Sequence, residues 1–205
     1  MRRDFLKLLA AGLLAPRIVG AQPKYQYTVL PQEQNTDNPD KIEVVEFFWY
    51  GCPHCYNLEP QLEVWVKKLP PDVVFRRIPA IFNERWGHDA AIFYTFEALG
   101  VLDRLHRPFF DAIHRDHLRT DSQEAMTQWL SRNGVDPTKF LDTMKSFGVQ
   151  SKTKRAIQLT TAYKIDGTPA MAVQGKYTVS ARQTGDQGGM LEAVDYLVGM
   201  SRKKK

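Results

Sequence analysis

Residues 42–55 read Ile-Glu-Val-Val-Glu-Phe-Phe-Trp-Tyr-Gly-Cys-Pro-His-Cys. The first nine, Ile42 to Tyr50, are β-branched and aromatic and become apolar on both faces towards their end, the pattern of a central strand covered on both sides. A helical stripe follows at once: Leu58, Leu62, Trp65, Val66 and Leu69 recur at steps of four, three, one and three. Pro53 suits the first helical position, where its missing N–H is no loss, which makes Cys52 the N-cap. Pro60 inside the stripe predicts a kink, and Pro70-Pro71 ends the helix. Val73 to Ile78 is a second strand. Strand, helix, strand in that order favours a parallel pair.

Residues 84–165 carry no strand pattern. Helices are predicted near 88–99, 102–117, 122–133, 137–146 and 149–164, punctuated by Gly100, Asn133-Gly134, Asp136-Pro137 and Gly148. Asp121 or Ser122, and Asp136, are the predicted caps. Pro169 to Val173 and Lys176 to Val179 flank Gln174-Gly175 and read as a hairpin with a two-residue loop. Met190, Leu191, Val194, Leu197 and Val198 form a closing amphipathic helix. Ahead of the central strand, residues 22–40 are polar and irregular, with a short edge strand within Tyr25 to Leu30. The fold class is α/β, and no internal repeat is present.

The 205 residues suffice for one large domain or a domain carrying an insertion. Apolar residues at 43% and charged residues at 25% are ordinary for a globular chain, which argues against disorder outside the ends. The net charge of +5 comes from the termini: residues 1–21 hold four Lys/Arg against one acid, and Arg202 to Lys205 add four more cations. The body between is slightly acidic, so no clustered basic face for nucleic acid is indicated; the tail reads as a solvated end. Residues 1–21 read as a signal peptide, with Arg2-Arg3, an apolar run from Leu6 to Ala15, and Val19-Gly20-Ala21 before Gln22. Arg2-Arg3-Asp4-Phe5-Leu6-Lys7 resembles a twin-arginine export signal. The alternative is an uncleaved anchor, although the run falls short of the roughly 20 residues a span needs. Either route ends outside the cytoplasm.

Cys52 and Cys55 are the only cysteines. A bridge between them closes a very small loop and removes little chain entropy, so reactivity explains the pairing better than stability does. At a helix start, unpaired N–H groups and the positive end of the dipole favour a thiolate at Cys52. Two intervening residues bring Cys55 back within disulfide reach on the same turn, as the more buried sulfur. His54, if its imidazole donates to the sulfur or is protonated, favours the anion further; the alternative is an exposed turn residue. A stabilised thiolate stabilises the reduced protein, at about 30 mV per pKa unit for a two-electron couple. Covalent haem attachment needs His directly after the second cysteine, and Tyr56 stands there. A zinc site needs two more ligands. Asp111, His114 and His117 share three-residue spacing, which reads either as a metal-binding face or as a solvated one.

Val45-Glu46-Phe47-Phe48 followed by Cys52-Pro53-His54-Cys55-Tyr56, with Gly167-Thr168-Pro169-Ala170-Met171 and Gly175-Lys176-Tyr177 downstream, resembles the bacterial periplasmic DsbA family of the thioredoxin superfamily. The likeness spans roughly residues 25–200. It implies a thioredoxin-like fold with an inserted helical domain: 22–83 and 166–201 as the thioredoxin-like part, 84–165 as the insert, 202–205 as a basic tail. It implies a cis Pro169 facing the disulfide, with Thr168 offering backbone groups to an extended substrate peptide. Thr168 departs from the valine of the best-known oxidases and is similar to some isomerases. The implied activity is a periplasmic dithiol oxidase that donates its Cys52–Cys55 disulfide to exported proteins with free thiols. No cofactor beyond that disulfide is called for. The implied reoxidant is a quinone-linked membrane partner of the DsbB type, and the chain is expected to be monomeric. Two rival readings are a disulfide isomerase or reductase on the same residues, and a non-catalytic chaperone or metal-carrying module. Glu46 interrupts an apolar strand, where an unpaired carboxylate is expensive: it is either a proton relay to Cys55 or the partner of a base such as Arg77, and the two are compatible. Trp49, Tyr50, Phe82 and Trp86 belong either to the core or to a groove beside the cysteines.

Overall fold

The computed structural model describes residues 24–203; the segment read as a signal peptide lies outside these, as do the last two lysines of the tail. Thr28–Val29 (β1), Ile42–Phe48 (β2), Val73–Pro79 (β3), Ala170–Val173 (β4) and Tyr177–Ser180 (β5) form one mixed sheet in the order β1-β5-β4-β2-β3. β2 and β3 are parallel, in register from Ile42 opposite Val73 to Phe48 opposite Pro79. β4 runs antiparallel to both β2 and β5. All seven residues of β2 are buried, as expected of a strand paired on both edges and covered on both faces. It ends at Phe48, two residues short of the predicted Tyr50, because Trp49, Tyr50 and Gly51 turn the chain into the first helix.

Pro53–Val66 (α1) starts at Cys52 as predicted, with Pro53 in its first turn. The helix continues without a break through Pro60. Between β3 and β4 lie Glu84–Ala98 (α2), Leu102–His114 (α3), Gln123–Arg132 (α4), Pro137–Met144 (α5) and Phe147–Ala162 (α6). Side-chain caps fix the starts of α2, α4, α5 and α6: Asn83 accepts from the Trp86 N–H, Ser122 from Ala125, Asp136 from Thr138 and Lys139, and Ser146 from Val149. A four-residue helix, Ala181–Thr184 (α7), was not anticipated; Gln187–Arg202 (α8) is the closing helix.

The sheet is packed on both faces. Ile42, Val44, Val73, Met171 and Val179 meet Leu58 and Leu62 of α1 and Met190, Val194 and Leu197 of α8. Val45, Phe47, Ala170 and Ala172 share a continuous core with Phe93, Phe96, Phe109 and Phe110 of the helical block. Position 46 has the parity of Ile42 and Val44 and so falls on the α1 side. Arg202, first residue of the predicted free tail, is instead the last of α8 and forms a two-bonded pair with Asp72.

The hairpin loop differs from prediction. Val173 pairs with Tyr177, leaving three residues, Gln174, Gly175 and Lys176, in the turn. Both Gln174 (φ 52°) and Gly175 (φ 63°) are left-handed. Gln174 is held there by exchanging bonds with Glu43: its N–H donates to the Glu43 carbonyl at 2.8 Å, and its side-chain oxygen accepts the Glu43 N–H at 3.1 Å. A Cβ on Gly175 would lie 2.0 Å from the carbonyl oxygen of Gln34. Gly175→Ala therefore meets both a strained φ and a backbone clash. Thermal unfolding of that variant is expected to show a loss of about 2 kcal/mol or more, equivalent to roughly 4–8 °C in a chain of this size; an unchanged midpoint would contradict this placement.

Candidate active site

Three segments converge on the cysteine pair: the end of β2 with its turn, the first turn of α1, and the loop that enters β4. The β2 turn is tied down by the Cys52 N–H, which donates to the Trp49 carbonyl at 3.0 Å. Gly51 is required there, since a Cβ would fall 2.3 Å from the Trp49 ring. Trp49 is pinned in turn by stacking on Trp86 at 4.2 Å and by donating its indole N–H to Asp89 at 2.8 Å. Phe82 leans on Trp86 and is 44% exposed, so these three form an aromatic edge beside the site, while Tyr50 is core.

Both cysteines are free thiols in this structure. Cys52, at the helix N-cap, is 7% exposed, and Cys55 is fully buried. The two sulfurs are driven in opposite directions. Cys52 is pulled down to about 5, first by the hydrogen bond from Cys55, then by the Thr168 side chain and the backbone N–H groups of Cys55 and His54, which together outweigh its desolvation. Cys55 is pushed well above the ordinary thiol range, first by burial and then by serving as donor to Cys52 and by the charges of Cys52 and Glu46. When protonated, Cys52 donates to the Thr168 carbonyl at 3.3 Å. The Thr168–Pro169 peptide is cis, as the resemblance implied. The structure therefore brings Cys52, Cys55, Thr168 and Pro169 together.

Pro53 and His54 lie on the exposed side of the first turn. The His54 contribution to the sulfur that the structure resolves runs through its backbone N–H, and its carbonyl accepts from Gln187 at 2.6 Å. Along this face a groove of about 830 Å³ is lined by His54, Asp166, Thr168, Pro169, Arg182 and Gln187, among others. An extended peptide laid in it would pass the edge of the Thr168–Pro169 loop, whose Thr168 carbonyl lies 3.3 Å from the Cys52 sulfur.

Beneath the cysteines lies a set of charged residues, only partly anticipated. Glu46 is fully buried, and its Oε2 accepts from Arg77 Nε at 3.0 Å, the pairing weighed from sequence. Its Oε1 has no hydrogen-bond partner among the described residues. Burial, only partly countered by Arg77, lifts this carboxyl to about 8, so it carries a proton at neutral pH. Both expectations for Glu46, partner of a base and holder of a proton, are compatible with this geometry. Glu59, not singled out from sequence, is also fully buried and accepts from Arg77 Nη2 at both of its oxygens, at 3.0 and 3.2 Å. The usable signal was its spacing: Glu59 is four residues after Cys55, on the same inward helix face. His114, offered as a metal ligand, stacks on Tyr56 at 4.8 Å and hydrogen-bonds the Tyr50 carbonyl at 2.8 Å. His117 lies past the end of α3 with φ 57°, so it does not continue that helix face. Among the described residues no group of three or more His, Cys, Asp or Glu is arranged to hold a metal ion.

Comparison with known proteins fits this geometry. Residues 77–187 match the model of the DSBA-like thioredoxin domain. The chain is 42% identical over 197 residues to the thiol:disulfide interchange protein DsbA of Azotobacter vinelandii, covering 95% of this chain and 92% of that protein. The chain belongs to the DSBA-like thioredoxin domain family. It is a thiol–disulfide oxidoreductase of the dithiol-oxidase kind, as the sequence indicated. The crystal structure of Pseudomonas aeruginosa DsbA superposes with a TM-score of 0.83 at 40% identity, covering 88% of this chain and 94% of that one. DsbA from Xylella fastidiosa superposes at 0.81 with 30% identity, over 86% and 95%. The thioredoxin-like α/β class read from the sequence is thus confirmed.

A depressed folded pKa at Cys52 stabilises the reduced protein above the ordinary thiol range, and that stabilisation is lost as pH falls through about 5. The oxidised protein has no such thiolate. Denaturant unfolding of the two forms is therefore expected to show the reduced form gaining on the oxidised one as pH rises from about 5 towards 8. In Thr168→Val, which removes the hydroxyl, the gain is expected to begin at higher pH. A gap independent of pH across that window would contradict the assignment.

Proposed function

We propose that Cys52 is the sulfur that substrate thiols attack and that Cys55 is the buried leaving sulfur of the first step. A substrate thiolate bonds to Cys52 Sγ, the Cys52–Cys55 bond breaks, and Cys55 departs as a thiolate. Because Cys55 is the stronger base, it takes a proton, and Glu46, protonated at neutral pH, is the donor on this reading. A second substrate thiolate then attacks the substrate sulfur of the mixed disulfide. Cys52 leaves as an anion, and a low leaving-group pKa makes that departure fast. Substrate is released oxidised, and the pair is left reduced. The opposite shifts at the two sulfurs are the observation that carries this proposal.

Pro53 presets the helix start, and His54 contributes its backbone N–H to the Cys52 anion. Thr168 and Pro169 bind the substrate strand along the groove. The electron acceptor is the protein's own Cys52–Cys55 disulfide, with no further cofactor. The substrates are proteins with free thiols; we assign them to the exported, still folding class. Reoxidation is assigned to a quinone-linked membrane protein of the DsbB type. The chain works as a monomer in the periplasm, exported by the signal in residues 1–21, whose Arg2-Arg3 stretch resembles the twin-arginine type. Residues 22–83 with 166–201 act as the thioredoxin-like domain and 84–165 as its helical insert.

Equilibration of the full chain with glutathione tests the direction of transfer. The expected result is a reduced protein at ratios where a free dithiol remains oxidised, each unit of thiol pKa depression contributing roughly tenfold. Cys52→Ser is expected to abolish oxidation of a dithiol peptide. An equilibrium lying on the oxidised side would favour the isomerase or reductase reading, and activity surviving in Cys52→Ser would remove the mechanism.

A further inference from the structure

One buried titratable group next to the site takes no part in the chemistry described above. His106, on α3, is 6% exposed and enclosed by the rings of Phe48, Phe93 and Phe110. Both of its ring nitrogens are engaged: Nε2 lies 3.3 Å from Glu59 Oε1, and Nδ1 lies 2.9 Å from the Tyr50 hydroxyl. The groups facing it are Glu59 and, at longer range, Glu63 from α1, with Arg77 from β3 and Tyr50 from the β2 turn.

These contacts define the proton positions. Glu59 is held ionised: burial opposes the charge, but the bonds and charges of His106 and Arg77 outweigh it. An ionised carboxylate only accepts, so His106 Nε2 carries the hydrogen. Burial and Arg77 disfavour a second proton on the ring, so Nδ1 is the acceptor and the Tyr50 hydroxyl donates to it. The result is a directed chain: Tyr50 O–H to His106, His106 N–H to Glu59, Arg77 to Glu59, and Arg77 to Glu46.

The chain also fixes the charge balance. Two buried carboxyls face one guanidinium; of the other acids, Asp89 acts on Tyr50 and Glu63 on His106, both at longer range. A single proton shared between Glu46 and Glu59 makes the cluster neutral. Glu59 has donors for both oxygens, Arg77 and His106 at Oε1 and Arg77 at Oε2, whereas Glu46 has one oxygen unpartnered among the described residues. The proton therefore belongs on Glu46, beside Cys52 and Cys55, whose charges interact with it.

We propose that His106, oriented by Tyr50, is a positioning residue of the active site: by donating Nε2–H to Glu59 it keeps Glu59 as the ionised partner of Arg77 and leaves Glu46 as the carboxyl that carries the proton for Cys55. This rests on the role given to Glu46 above. The step is a proton transfer only: Cys55 takes the proton from Glu46 when the disulfide opens and returns it when the pair is reoxidised.

The test is a carbon-13 NMR titration of the Glu46 and Glu59 carboxyls in the full reduced chain, for the wild type, His106→Phe and His106→Gln. Phe removes the donor; Gln retains an N–H near the Nε2 position. In the wild type, Glu59 is expected to stay ionised through the neutral range. In His106→Phe its proton affinity should rise roughly tenfold or more, the scale of a lost hydrogen bond to a buried charge, and Glu46 should share its proton. His106→Gln should restore the wild-type order. Nitrogen-15 shifts of His106 in the wild type should report hydrogen on Nε2 and a bare Nδ1; this measurement holds even if a variant fails to fold. Identical Glu59 titrations in wild type and His106→Phe, or hydrogen on Nδ1, would overturn the proposal. Dithiol oxidation by Glu46→Gln separates it from the reading beneath: wild-type rates there remove Glu46 as the donor to Cys55, while the carboxyl titrations still judge the coupling of His106 to Glu59.

Discussion

The placement of Cys52 at the N-cap of α1 is the constraint on which the rest of the site depends. There the sulfur meets backbone N–H groups that the helix cannot satisfy internally, together with the positive end of its dipole. Pro53 begins the helix immediately afterwards, so the chain has no freedom to shift the cap by a residue. The next turn returns Cys55 beneath it, as a donor in a dry setting. One local geometry therefore lowers the proton affinity of one thiol and raises that of the other. In thiol–disulfide exchange this asymmetry decides which sulfur leaves easily and which form of the protein is stabilised.

Such an arrangement creates a second requirement below the sheet surface. A buried leaving thiolate needs a proton source, and a buried carboxyl is costly unless it is neutral or paired. Arg77 lies opposite Glu46 in the parallel β2–β3 register and also reaches Glu59 on α1. Sheet register and helix packing thus place one guanidinium between two carboxyls, and α3 adds a histidine to the further one. The helical block contributes in this way to the electrostatics of a site formed by the sheet and α1, and its phenylalanines complete the core around it.

Much of this was legible in the sequence because it is written in local signals. The buried strand, the proline-led helix with its cysteine cap, and the loop at Thr168-Pro169 each have a signature within a few residues. The five inserted helices were found from their periodicity and punctuation, with boundaries off by up to four residues. What was missed is nonlocal. Glu59 and His106 look like ordinary polar positions on amphipathic helices, and only the tertiary arrangement shows that 47 residues of separation bring them within 3.3 Å. The spacing of Asp111, His114 and His117 suggested a shared face, but α3 ends at His114, and the ring of Tyr56 covers that residue. Gln174 was read as a simple turn residue, yet its left-handed backbone is held by two bonds to Glu43, 131 residues earlier.

The most direct measurement is an ultraviolet titration of the thiolate in the reduced wild-type chain. The account predicts a single ionisation near 5, assigned to Cys52 by its loss in Cys52→Ser, with Cys55 remaining protonated well past the ordinary thiol range. A first ionisation at the roughly 8.5 of an unperturbed cysteine would contradict it.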